Sequence, residues 1–350
     1  MNSVNLNLDT KPLIILTGPT AAGKTELSIK LAKLIDGEII SADSAQVYKE
    51  LNIGSAKITE EEMQGVPHHL IDMYEPTFPF DVTVFQREAK RIVTEIYSRG
   101  HVPIVVGGTG FYIQALIYDI DFNNENSATC SEALSDFMED INNRINGSYT
   151  NFRECLENYI DITNDTLYLH EELKVIDPKS AEIIHANNYR KVIRALEYYH
   201  YHNEQISKHN EAEREKTSIY NSKYFVLTMN RATLYERINR RVDIMRNMGL
   251  LEEVRNLRDK GYGSELTSMQ AIGYKEIYAA LSKIENDGIY KDSKEYNEII
   301  NEAFEEIKLN TRHFAKRQLT WFRRERDVIW LNKDEKSDDD ILKLILDTII

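Results

Sequence analysis

Eight residues near the start of the chain, Gly18-Pro19-Thr20-Ala21-Ala22-Gly23-Lys24-Thr25, constrain its fold more than any other feature. They follow an apolar run, Leu13-Ile14-Ile15-Leu16, and lead into a helical spacing of Leu27, Leu31 and Leu34. Strand, glycine-rich turn and helix, in that order, are the setting in which G-x-x-x-x-G-K-[ST] cradles phosphate. Glycine lets the backbone approach an anion closely, and successive N–H groups with the helix N-terminus supply positive potential. Lys24 is expected to reach the terminal phosphates and Thr25 to hold Mg²⁺ through its hydroxyl. Gly18 to Thr25 are therefore read as a diphosphate-binding loop. Whether its ligand is a nucleotide is a separate question.

The pattern continues through residue 118. Segments 13–17, 38–42 and 102–106 read as strands, with helical spacing over 25–35 and 84–99. Alternating strands and helices imply a parallel sheet. The expected fold class is α/β: a P-loop NTPase-like parallel sheet flanked by helices, with an inserted all-helical subdomain. Val102-Pro103-Ile104-Val105-Val106 is apolar throughout, as a central parallel strand is. It runs into Gly107-Gly108-Thr109-Gly110, a second loop at the carboxyl edge where α/β proteins bind ligands. Residues 120–187 turn polar, acidic and Asn-rich and form the expected insertion. From 188 to 332 the α/β character returns: helix over 189–201, strand over 224–229, mostly helix over 234–258, helix over 298–325 and a last strand at 328–331. Residues 333–350 read as an acidic tail, and the core's first part spans 11–119.

Composition bounds the function classes. A 350-residue chain with 42% hydrophobic and 29% charged residues is that of a soluble globular protein. Residues 1–10 are polar and lack a signal-peptide layout, and no apolar run approaches the ~20 residues that span a bilayer. Cys130 and Cys155 make neither a C-x-x-C pair nor a disulfide framework. A cytoplasmic protein with reduced thiols and no structural zinc is expected, with no membrane partner. The net charge of −14 argues at first against nucleic acid. Residues 119–172, however, hold thirteen acidic and two basic residues, and 312–326 hold six Lys or Arg against one Glu. Phosphate contacts depend on local potential, so an acidic chain can own a basic face.

The second strand ends at Ile40-Ser41-Ala42-Asp43-Ser44-Ala45-Gln46. A carboxylate at that edge can act as a general base, or it can form a turn; spacing alone leaves both open for Asp43.

In order, GPTAAGKT, DSAQVYKELNIGSAK, VPHHLID, FQREAKRI, VVGGTGFYIQAL, IRALEYY, LYERINRRVDIMRNMGLLEEV, AIGYKE and TRHFAKRQLTWFRR closely resemble the tRNA dimethylallyltransferase (tRNA isopentenyltransferase) family over residues 12–326. The resemblance implies transfer of a five-carbon group from dimethylallyl diphosphate, with Mg²⁺, to the exocyclic amine of an adenosine beside the tRNA anticodon. It implies Asp43 as general base. It also implies Lys24 and Arg237 as stabilisers of the departing diphosphate, and Thr109 as the residue that orients the amine. The segment Asp43, Ser44, Ala45 and Gln46 is expected to contact the extruded base. Arg190, Lys191, Arg194, Arg312, Lys316, Arg317 and Arg323 are expected to contact tRNA. Arg312, Lys316 and Arg323 share a helical face, as do Arg317 and Arg324, with Trp321 and Phe322 between them. His68 and His69 match the family too, in a structural or substrate-positioning role.

The sequence departs from the family at Ala186, Asn188 and Lys191, where members usually carry proline, aspartate and arginine. It also lacks the cysteines of the eukaryotic zinc finger, so a bacterial-type enzyme is expected. A monomer is expected as well. Two other classes fit the first motif: a P-loop small-molecule or nucleotide kinase, and a non-catalytic RNA-binding NTPase. The kinase has no role for the basic C-terminal helix, and the NTPase has none for Asp43.

Overall fold

In the computed structural model the described residues are 11–122 and 132–349; Cys130 and the polar first ten residues lie outside them. The chain divides into two compact units: Met1–Asp119 with Ser218–Ile350, and Ile120–Thr217.

The first unit is built on strands β1 (Leu13–Thr17), β2 (Gly37–Ala42), β3 (His68–His69), β4 (Val102–Gly107), β5 (Ser222–Thr228) and β6 (Val328–Asn332). They form one sheet in the order β3-β2-β4-β1-β5-β6, and every pairing is parallel. Successive strand side chains point to opposite faces. Leu13, Ile15, Ile40 and Val105 thus join one core, and Ile14, Leu16, Ile39 and Ile104 the other. Both faces are covered, as the apolar strand sequences require. One face carries α3 (Val82–Ser98), α4 (Gly110–Tyr118), α12 (Leu250–Asp259), α13 (Tyr274–Asn286) and much of α14 (Lys294–Phe322). The other carries α1 (Lys24–Ile35), α11 (Arg231–Met248) and α15 (Asp338–Ile349). A four-residue helix, α2 (Glu60–Met63), precedes β3.

The stretch over 234–258 is mostly helix, as expected, and is two helices, because Gly249, at φ 99°, ends α11 and starts α12. Two expectations need correction. The expected acidic tail is α15, whose Ile341, Leu342 and Ile345 are buried against the α1 side of the sheet. Its acidic residues Asp338, Asp339 and Asp340 fill the first turn, where the helix dipole favours negative charge. The insertion runs to Thr217 rather than 187.

Among its described residues, that second unit is all-helical: α5 (Glu132–Ile145), α6 (Phe152–Thr163), α7 (Thr166–Ile176), α8 (Pro178–Ile183), α9 (Tyr189–His202) and α10 (Ile206–Glu215). It has its own core of Ile141, Phe152, Cys155, Leu156, Leu169 and Leu173. Helix α9 belongs here because its apolar stripe of Val192, Ile193 and Leu196 is buried in that core.

At the amino end of β2 sits a buried carboxylate, Glu38. It accepts two hydrogen bonds from Arg99 (2.9 and 2.7 Å) and lies 2.6 Å from a ring nitrogen of both His69 and His101. His69 is thereby given a structural partner, on the two-residue strand that pairs with Ile39 and Ile40.

Candidate active site at the carboxyl edge of the sheet

The loops after β1, β2 and β4 converge at one edge. Two glycines make this possible. Gly18 has φ 144°, and a Cβ there would lie 2.6 Å from the Leu227 carbonyl oxygen. At Gly107 a Cβ would lie 2.2 Å from the carbonyl oxygen of Ala42, the residue before Asp43. Any side chain at Gly107 would push β4 off β2 where the carboxylate is positioned.

Within the phosphate loop, Ala22 N–H donates to the Pro19 carbonyl (3.2 Å) and Thr20 N–H to Gln318 Oε1 (2.9 Å). Lys24 opens α1 and donates to the carbonyls of Gly18 and Pro19, both at 2.9 Å. Desolvation and the nearby Arg241 push its ammonium down to about 8, against the pull of Asp43. Thr25 follows, exposed and at the mouth of the same cavity.

Of the two roles that spacing left open for Asp43, the structure shows the turn. Asp43 Oδ1 accepts from the N–H groups of Ala45 (2.9 Å) and Gln46 (3.4 Å), the hydrogen bonds of an Asx-type turn. Oδ2 accepts none from the described residues. Ser44 is exposed on that turn. Gln46 donates to the carbonyls of Ser55 and Ala56 at 3.3 and 3.2 Å, tying the turn to the segment that follows. That segment is held in turn by Glu253, whose carboxylate accepts from the N–H groups of Asn52, Ile53 and Gly54 and from Tyr274 Oη.

A cavity of about 290 Å³ collects these parts. Thr20, Ala21, Gly23, Lys24 and Thr25 line it from the phosphate loop, Asp43 and Gln46 from the β2 turn, and Arg237 and Arg241 from α11. Phe314 and Gln318 close it from α14. Sequence reasoning missed Arg241 and Gln318. A signal existed for Arg241, since it stands four residues after Arg237 and so on the same helical face. Burial lowers its pKa, with Asp43 opposing. Gln318 had no local signal. It is 5% exposed, donates to the Gly108 carbonyl at 2.8 Å and accepts from Thr20, so one amide joins the two glycine loops.

Thr109 is the residue before α4. Its N–H donates to the Ala42 carbonyl at 3.2 Å, and its side chain makes no capping bond. Its neighbour Gly108 lines the cavity and Thr109 does not. Along α14, Arg312 donates to Asn239 Oδ1 at 2.7 Å, while Lys316, Arg317 and Arg323 are exposed. Arg190, Lys191 and Arg194 are exposed on α9 of the second unit. Among the described residues no cluster of three His, Cys, Asp or Glu is arranged to hold a metal, and no helix is long and apolar enough to cross a membrane.

Comparisons with known proteins identify the family. A family model described as IPP transferase matches residues 46–325, and one described as isopentenyl transferase matches 11–78. The tRNA dimethylallyltransferase of Lachnoclostridium phytofermentans is 50% identical over 333 residues, covering 95% of each chain. That of Bacillus subtilis is 42% identical over 338 residues, covering 97% of this chain and 96% of its own. Among solved structures, the full-length tRNA isopentenylpyrophosphate transferase from Bacillus halodurans aligns with a TM-score of 0.65 at 40% identity, over 97% of this chain and 96% of that one. A eukaryotic dimethylallyltransferase acting on tRNA aligns with a TM-score of 0.73 at 26% identity, over 96% of this chain and 78% of that one. The chain belongs to the IPP transferase family, among whose similar members are proteins named tRNA dimethylallyltransferase.

Proposed function

We propose that this chain transfers a dimethylallyl group from dimethylallyl diphosphate to the exocyclic N6 amine of an adenosine beside the anticodon of tRNA, releasing diphosphate. One observation carries the reading: Lys24, Arg237 and Arg241 line the same small cavity as Asp43, whose Oδ2 accepts no hydrogen bond from the described residues. Three cations suit a leaving diphosphate. An open carboxylate beside them suits a proton acceptor.

The amine is a poor nucleophile because its lone pair is delocalised into the purine ring. As the new C–N bond forms and the allylic C–O bond breaks, one N6 proton passes to Asp43 Oδ2 and then to solvent. Negative charge grows on the diphosphate as it leaves, and Lys24, Arg237 and Arg241 stabilise it there. Bound Mg²⁺ would supply further neutralisation. The hydroxyl of Thr25 is a hard oxygen donor of the kind Mg²⁺ takes alongside phosphate oxygens and waters, so an all-protein cage is not needed. Thr109, one residue beyond the Gly108 that lines the cavity, is assigned to orient the amine from the cavity's edge. The adenine must leave its stack to reach Asp43, at a cost of a few kcal/mol in a single-stranded loop. Ser44, Ala45 and Gln46 then border it. Arg190, Lys191, Arg194, Arg312, Lys316, Arg317 and Arg323 hold the anticodon stem–loop through its phosphates.

The test incubates the protein with Mg²⁺, dimethylallyl diphosphate and unmodified tRNA, beside an ATP control, and analyses digested nucleosides by mass spectrometry. An adenosine carrying one added prenyl group, absent with Asp43→Ala, is the expected result. Phosphate released from ATP without any prenylated adenosine would assign the loop to a kinase or NTPase instead.

A further inference from the structure

Lys316, Arg317, Arg323 and Arg324, at the carboxyl end of α14, form no ion pair with any described carboxylate. Earlier in the same helix, Lys308 pairs with both Asp243 (2.7 Å) and Glu305 (2.8 Å). Acidic residues outnumber Lys and Arg here by 57 to 43, so unpaired cations gathered at one place point to an external anion. Residues 313, 316, 317, 320, 321 and 324 follow the spacing of a single helical stripe. They line a groove of about 360 Å³, within the size range of small-ligand sites.

The groove has an aromatic wall. Sequence alone could not separate the neighbours Trp321 and Phe322. Phe322 is fully buried in the core, whereas Trp321 lines the groove. Its indole rests on Gly110, where an added Cβ would lie 2.2 Å from the Trp321 Cδ1, and meets Phe111 edge-on at 6.0 Å and 68°. Its buried Nε1 has no acceptor at hydrogen-bond distance, although Glu325 is close enough for a weaker attraction. Gly110 and Phe111 directly follow Thr109, so this wall abuts the second glycine loop.

We propose that the groove seats one unpaired nucleotide of the RNA substrate, next to the reacting adenosine, with its base against the Trp321 indole and its phosphates on Lys316, Arg317 and Arg324. The inference rests on the RNA-substrate reading above. Every base has a π-face, so stacking there would add affinity for the loop without reading its sequence.

The chain has two tryptophans, Trp321 and Trp330, so Trp330→Phe leaves Trp321 as the sole emitter. An anticodon stem–loop RNA is titrated into that variant, with binding read by polarisation and stacking by tryptophan emission. Quenching in step with polarisation is expected. An abasic nucleotide beside the target adenosine should abolish the quench and weaken binding about tenfold. Trp321→Ala should weaken binding by a similar factor, with little further loss from the abasic RNA, and Trp321→Phe should retain most of the affinity. Normal binding with unchanged Trp321 emission would overturn the proposal, as would independent losses from Trp321→Ala and the abasic site. Failure of the RNA to bind at all would overturn the RNA-substrate reading itself, and this inference with it.

Discussion

A Glu38→Gln substitution is expected to destabilise the sheet-bearing unit by roughly 2–3 kcal/mol at pH 7 while leaving prenyl transfer per folded molecule within about twofold. Burial alone would raise the Glu38 pKa, yet hydrogen bonds from Arg99, His69 and His101 outweigh it and hold the carboxyl at about 2 instead of 4.5. That difference converts to about 3.4 kcal/mol at 1.36 kcal/mol per unit, and the 43% exposure of the Arg99 side chain trims it through solvent screening. The sign follows from a depressed folded-state pKa. The contribution is complete above 4.5 and is lost as pH falls from there through about 2. At pH 3.5 about three-fifths of it should survive. Both tryptophans lie in the first unit, so urea unfolding followed by tryptophan emission reports that unit directly. Glu38 lies five residues from Asp43 along β2, about 16 Å, which is why activity should be spared. A gap below about 1 kcal/mol at pH 7, or one unchanged between pH 7 and 3.5, would refute the charge-cluster argument.

Other outcomes follow from the site. Asp43→Asn should retain tRNA affinity and lose on the order of 10²–10⁴ in single-turnover rate; an unchanged rate would remove Asp43 from proton transfer. Because the Lys24 ammonium titrates at about 8 in the free protein, dimethylallyl diphosphate should bind well below that pH and more weakly above it, by up to about tenfold per pH unit in direct binding measurements. Gln318→Ala removes the link between the glycine loops and should cost about 1–3 kcal/mol in stability together with a raised KM for dimethylallyl diphosphate, checked by thermal unfolding and steady-state kinetics. Burial pushes the Glu325 carboxyl up to about 7, near Trp321, so RNA affinity should fall as pH rises through 7 and the carboxylate forms; Glu325→Gln should flatten that step.

What could be read from the chain alone was local. The phosphate loop, the alternation of strands and helices and the basic end of α14 follow from turn chemistry, hydrophobic period and charge spacing, each set within a few residues. Asp43, at the end of an apolar strand, was legible as a residue of the carboxyl edge. That its Oδ1 turns the chain there was not, because a turn is recognised only by its hydrogen-bond geometry. Tertiary packing decided the rest. Gln318 meets Thr20 across 298 residues, and Arg99 and His101 reach Glu38 across about sixty. Within the polar C-terminal segment, Asp338–Ile349 became a packed helix because Ile341, Leu342 and Ile345 found an apolar surface to cover. Trp321 and Phe322, adjacent and chemically alike, were assigned to groove and core by the face of α14 on which each falls. Sequence specifies local geometry directly, but a long-range contact exists only once the sheet and its flanking helices have brought its two ends together.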